Sequence, residues 1–261
     1  MKKLFIILTL LSFICVSSFT QQNASEPQKF ALVIGNGNYT SIAHLRNPIY
    51  DANDMEAVLI ELGFTVDKIL NGDLVQMEAA VINFRNQLSI EKNSYGFFYY
   101  AGHGVKSGEE IYLIPVTIDY IRTEEMLPDH TMSLQFIFDN LSEAGNELNI
   151  FVFDSFRDNP FFWARYGNRS LPVIRNIPIG SIIVFSNSDT SFTTAHVYRY
   201  DLLTSHLIKN LRIPGLEVKE VFLRTILDVI NASSNSQSPD MYIRYFENAY
   251  LGSLPENIST D

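Results

Sequence analysis

Five short apolar runs constrain this chain most, because they alternate with stretches of helical spacing. Phe30–Gly35, Thr65–Leu70, Tyr95–Ala101, Leu148–Asp154 and Ser181–Phe185 are rich in β-branched and aromatic residues, as strands buried on both faces are. Between the first two, Ala52, Met55, Leu59 and Leu62 recur at helical intervals after Asn47 and Pro48, and Gly63 ends the series. Asp73, with Gln76 three residues on, reads as a capping box; the helix it opens has Met77, Val81, Phe84 and Leu88 as its inner face. Further helices are expected over 133–141, 201–210 and 218–231, an extended piece over 111–115, and a last strand over 241–246. The stretch 159–178 is rich in aromatics, arginine and proline without a period and reads as a loop, and 233–240 reads as polar linker. This alternation predicts an α/β domain, a mostly parallel sheet of about six strands with helices on both faces.

In such sheets the chemistry gathers beyond the carboxyl ends of the strands. Three predicted strands end there in small or polar groups: Gly35-Asn36, Gly102-His103-Gly104 and Asp154-Ser155. A histidine between two glycines is expected to be exposed and sterically open. Imidazole, with an ordinary pKa of about 6.5, suits general-base work. The plainer alternative is a turn histidine in a loop.

These residues carry a family likeness. The segments Phe97–Val105 and Asn149–Phe161 resemble the caspase-like clan of cysteine peptidases (caspases, metacaspases and paracaspases), in particular its bacterial metacaspase-related branch. Ala31–Asn36, the helix start from Asn47 to Ala52, Tyr112–Pro115 and Pro214–Phe222 fall where that family's pattern has them. The likeness therefore runs from about Lys29 to Leu251. It implies a caspase-like three-layer sandwich over 29–251, followed by a tail, 252–261.

In that family a histidine after the third strand activates a cysteine at the end of the fourth. The cysteine's motif reads Asp, a small residue, Cys, Arg, then Asp-Asn-Pro-Phe. The resemblance gives His103 the histidine's place and aligns Asp154, Ser155, Phe156 and Arg157 with the motif, followed by Asp158 to Phe161. Phe156 thus replaces the nucleophilic cysteine. The resemblance further implies an oxyanion amide near Gly104, and matches Asp51 and Asp154 to acids that hold a basic substrate side chain, through charge-assisted hydrogen bonds. For these carboxylates a structural alternative stands beside the functional one: Asp51 capping the first helix, and Asp154 accepting backbone amides.

The cysteine count gives Phe156 its weight. The only cysteine, Cys15, lies in a leader with basic Lys2 and Lys3, an apolar run from Leu4 to Val16, and small residues at Ser17, Ser18 and Thr20. That pattern predicts a signal peptide over 1–24 and export to periplasm, cell surface or medium; the apolar run is short for a membrane span. Cys15 is then discarded. The alternative is a lipoprotein anchored through Cys15, although such sites carry a small residue before the cysteine and Ile14 is large. Attack on a peptide carbonyl by a thiolate needs a thiol, and a phenyl ring has no proton to lose. Without a thiol the mature chain is excluded from cysteine-peptidase chemistry.

The expected function is an exported pseudoprotease that binds a peptide or protein partner bearing a basic side chain. One rival is a residual hydrolase using Ser155 and His103. It requires a bulge to re-aim Ser155, because neighbours on a strand face opposite ways. The other is a non-catalytic regulator of an active caspase-like protease. Other classes fare worse. A net charge of −10 without a basic stripe argues against nucleic acid. Gly35-Asn36-Gly37-Asn38-Tyr39 lacks the third glycine of a dinucleotide loop, so no cofactor is expected. His44, His130, His196 and His206 lack metal-ligand spacing, so no metal is expected. Phe161, Phe162, Trp163 and Tyr166 read either as a loop folded onto the core or as a partner surface.

Overall fold

The computed structural model describes residues 26–118, 121–156, 160–161, 177–186 and 202–253. Residues 1–25 with Cys15, residues 157–159, Phe162, Trp163, Tyr166, His196 and residues 254–261 lie outside the described residues. In chain order the elements are β1 (Gln28–Gly35), α1 (Asn47–Glu61), β2 (Thr65–Leu70), α2 (Leu74–Leu88), β3 (Ser94–Ser107) and β4 (Glu110–Leu113). A 3-10 turn (Glu124–Met126) leads to short α3 (Leu127–His130), then β5 (Met132–Ser133), α4 (Leu134–Ala144) and β6 (Leu148–Phe156). The chain continues with β7 (Ser181–Phe185), α5 (Leu202–Leu211), α6 (Val218–Ala232) and β8 (Asp240–Ile243).

The central sheet runs β2-β1-β3-β6-β7-β8, six strands as expected, with β4 and β5 attached beyond β3. All neighbours on this path are parallel except β8, which closes the edge antiparallel to β7. That last strand is shorter than the expected 241–246 and stops at Ile243. The helices start where local chemistry tells them to. At α2, Asp73 Oδ1 accepts the Gln76 amide at 2.8 Å and Gln76 Oε1 accepts the Asp73 amide at 3.0 Å. Met77, Val81, Phe84 and Leu88 are its buried positions. At α4, Ser133 Oγ accepts the Phe136 amide, and left-handed Gly145 ends the helix.

The sheet is buried on both faces because each strand splits its side chains between two apolar layers. Ala31, Val33, Phe97, Tyr99, Ile150 and Val152 join α1, α5 and α6 in one layer. Leu32, Ile34, Phe98, Tyr100, Phe151 and Phe153 join α2 and α4 in the other. Aromatic rings dominate the second layer: Phe153 lies 5.1 Å from Phe185, 5.7 Å from Phe98 and 6.3 Å from Phe138, centroid to centroid. A smaller cluster, including Tyr39, Val105, Ile114 and Phe161, roofs the carboxyl ends of the strands. Phe161 is thus folded onto the core rather than displayed.

One element differs from expectation in a way that matters for the site. Gly102-His103-Gly104 reads as a strand end, yet β3 continues to Ser107. Its first part lies between β1 and β6; its last four residues, Gly104–Ser107, leave that sheet to pair antiparallel with β4. The strand passes from one sheet to the other through Gly102-His103-Gly104 without ending.

Truncating Phe153, which touches rings on three sides, is expected to cost about 3–5 kcal/mol. Urea unfolding of Phe153→Ala against wild type measures this directly.

Candidate functional site

The carboxyl ends of β1, β3 and β6 stand side by side. Gly35 pairs with Ala101, Ala101 with Asp154, Gly102 with Ser155, and His103 with Phe156. Strands in one sheet lie about 4.8 Å apart, so residues 103 and 156 are immediate backbone neighbours. The register advances one residue at a time through Phe156, without a bulge on either strand.

His103 is not the open imidazole that its glycine neighbours suggest: only 7% of it is exposed. The loop between β1 and α1 folds over it, and the ring Nε2 lies 2.9 Å from the Ala43 carbonyl oxygen. A carbonyl accepts only, so Nε2 carries the proton and Nδ1 keeps the basic lone pair. Nδ1 is buried without a hydrogen-bond partner among the described residues. Burial pushes the imidazole pKa below its ordinary value, and the Ala43 carbonyl offsets this only in part. The ring is therefore neutral at pH 7, in the tautomer whose free lone pair sits on Nδ1.

Two tyrosines hold the backbone on either side of that ring. The His103 amide donates to Tyr39 Oη at 2.7 Å, and Tyr100 Oη donates to the His103 carbonyl at 2.8 Å. Tyr39 Oη lies 3.4 Å from Tyr100 Oη. Because the Tyr100 proton goes to carbonyl oxygens of His103 and Ile114, the Tyr39 hydroxyl is the donor between the phenols. Burial raises both phenol pKa values, which keeps both protons in place. The Tyr39 ring also packs tilted against the imidazole, 4.7 Å between centroids. Gly102 makes this possible: a Cβ there would come within 2.6 Å of Tyr39 Oη and 2.7 Å of Tyr100 Oη.

The loop bearing Tyr39 and Ala43 is itself anchored. Asn71, left-handed at φ 57°, accepts the Gly37 and Asn38 amides on Oδ1 at 3.0 and 2.9 Å. Asn36, fully buried, accepts the Gly72 amide and donates to the Ile114 carbonyl. The Gly35–Tyr39 run thus serves as a clasp between strand ends.

Ser155 is buried, and its Oγ lies 3.1 Å from the place a Cβ on Gly104 would take. It shares the sheet face of Phe151 and Phe153, whereas His103 follows Tyr99 and Ala101 onto the opposite face. Asp154 lies on the His103 face and accepts a hydrogen bond from the Thr204 hydroxyl on α5. A hydroxyl on the neighbouring helix is thus one of the groups that hold this carboxylate. Asp51 does not cap α1. That helix begins at Asn47 after Arg46, which makes no side-chain cap, and Asp51 is a buried residue inside it. Both carboxylates are buried, Asp51 on the sheet-facing side of α1 and Asp154 at the end of β6 against α5.

Ala43, Asn71 and Thr204 stand in none of the sequence motifs, and Tyr39 and Tyr100 stand in motif segments that give them no role. A carbonyl acceptor such as Ala43 leaves no residue-type signal at all. Among the described residues no helix is long and apolar enough to cross a membrane, and no group of three or more His, Cys, Asp or Glu could hold a metal ion.

Known proteins share this arrangement of elements. A family model described as Peptidase_C14, caspase domain, matches residues 28–250. Human mucosa-associated lymphoid tissue lymphoma translocation protein 1 is 29% identical over 169 residues, 63% of this chain and 19% of that protein. The mouse homolog is 29% identical over 158 residues, 60% of this chain and 18% of that protein. The matched region is therefore under a fifth of either mammalian protein's length. Two solved structures have the same fold. The Drosophila initiator caspase Dronc gives a TM-score of 0.62 at 11% identity, covering 87% of this chain and 85% of that one. Pro-sf-caspase-1 gives 0.62 at 14% identity, covering 87% and 92%.

The buried neutral His103 makes stability depend on pH in a defined direction. The unfolded chain takes up the imidazole proton near pH 6.5, the folded chain only at lower pH, so stability falls as pH drops below about 6.5. His103→Gln, which keeps a donor for Ala43, is expected to flatten that part of the profile. Denaturant unfolding at pH 7.5, 6 and 5 checks the difference.

Proposed function

The chain belongs to the caspase-domain peptidase family, and on that premise we propose that it is a pseudoprotease, which holds a peptide or protein partner without cutting it. The observation that carries this reading is the residue at position 156. It is the backbone neighbour of His103, where a nucleophile would receive the imidazole's help, and it is phenylalanine. The chain's single cysteine is Cys15, outside residues 28–250 that the family model matches. A neutral imidazole with a free lone pair is a competent base, but a base accelerates nothing without an acidic proton within reach.

Binding draws support from what surrounds the vacant role. Asp51 and Asp154 are buried, close to the strand ends, and carboxylates in such a layer favour an arginine or lysine side chain. The leader's basic residues, apolar run and small residues support export. The rival hydrolase through Ser155 has the free Nδ1 of His103 in its favour. Against it, Ser155 lies on the face opposite His103, next to Gly104. A regulator of an active caspase-like protease would use the same fold without filling the acidic site.

Binding and turnover of fluorescent peptides with one Arg or Lys decide among these. We expect binding without cleavage, weakened about tenfold or more by Asp51→Asn or Asp154→Asn. Cleavage by wild type that disappears in His103→Ala would establish the hydrolase instead, and absence of peptide binding would leave the regulator. In Phe156→Cys, we expect covalent capture of an arginyl electrophile that wild type does not react with. Mass spectrometry of the adduct reads this.

A further inference from the structure

Resting on the reading of Asp154 as receptor for a basic side chain, we infer that Thr204, backed by Tyr99, is the positioning residue that sets the receptor's orientation and charge. Tyr99 Oη lies 2.6 Å from Thr204 Oγ1, and Thr204 Oγ1 bonds Asp154 Oδ2. Tyr99 and Thr204 have no exposed surface and Asp154 almost none. An ionised carboxylate can only accept, so the single Thr204 proton goes to Asp154. The lone pairs of Thr204 then receive the Tyr99 proton. The donor order that follows is Tyr99 to Thr204 to Asp154.

This chain of hydroxyls joins three elements. Tyr99 is on β3, four residues before His103 and on the same face; Asp154 is on the neighbouring β6; Thr204 sits in the first turn of α5. Leu203 and Leu207 fix that turn against the core, so Thr204 has little freedom to move. At a buried helical position valine would match its shape and bring no polar group to satisfy. Threonine is of use here only for its hydroxyl. Donation to Oδ2 fixes the plane of the carboxylate, and a hydrogen bond given to the charged form of a carboxylate favours that form. Tyr99, drawing on the Thr204 lone pairs, strengthens that donation. The specificity for a basic partner is thus set partly from α5, outside the segments that carry the family likeness.

The test uses the full chain as wild type, Thr204→Val, Thr204→Ser and Tyr99→Phe, with an arginine-containing fluorescent peptide titrated between pH 4 and 8. Thr204→Val is expected to weaken binding about tenfold at pH 7 and move the acid limb of binding to higher pH, with Thr204→Ser restoring both. Tyr99→Phe should fall between wild type and Thr204→Val, and it carries the comparison if Thr204→Val does not fold. Thr204→Val or Tyr99→Phe with wild-type affinity and an unmoved acid limb overturns the inference. If wild type binds no basic peptide, the receptor reading itself fails. The carboxyl carbon resonance of Asp154 then decides the inference alone: titration at higher pH in Thr204→Val supports it, and titration unchanged from wild type overturns it.

Discussion

Parallel strands offer each other a single ladder of hydrogen bonds, and the ladder between β3 and β6 runs unbroken from Tyr95 and Leu148 to His103 and Phe156. Everything at the site follows from where that ladder ends. Because it contains no bulge, a residue's number alone fixes its neighbour across the gap and the face on which it stands. His103 and Asp154 are thereby sent towards α1 and α5, and Ser155 towards the opposite layer. No local rearrangement separates the serine from the histidine. They are kept apart by the same backbone geometry that builds the core.

The second determinant is how a histidine is accommodated with so little water. Its amide and carbonyl, which would be costly to bury unsatisfied, are each met by a phenol, and its ring proton by the Ala43 carbonyl. The phenols come from different elements, Tyr39 from the loop after β1 and Tyr100 from β3 itself, and they meet over the absent side chain of Gly102. The arrangement stabilises one tautomer of a neutral base. That is the protonation state in which an imidazole can accept a proton.

Much of this was legible in the sequence, for reasons that can be stated locally. The apolar runs located the central strands, the Asp73 and Gln76 pair located α2, and the spacing of Met77, Val81, Phe84 and Leu88 identified its inner face. His103, Asp154 and Phe156 came from motif order, which fixes positions along two adjacent strands. What stayed hidden was non-local. Nothing in the neighbourhood of Ala43 shows that its carbonyl meets a ring 60 residues away. The glycines at 102 and 104 look like punctuation, and only the close approach of two tyrosines explains the first of them. The burial of His103 was misjudged for the same reason, since the cover comes from a loop near the chain's start. Of the two readings of Asp51, the helix cap fails because the helix has already begun at Asn47.

The place of β3 in the middle of the sheet has a consequence for how the chain fails. It is flanked by β1, more than sixty residues earlier, and by β6, about fifty residues later. Until Leu148–Phe156 docks, the aromatic run Phe97–Tyr100 presents a bare edge of unpaired amides and carbonyls flanked by large apolar rings. Such an edge is a template for another molecule's strand, so partly folded or truncated forms are the aggregation-prone species. The same strand that orders the finished site offers, before completion, an open edge for intermolecular misassembly.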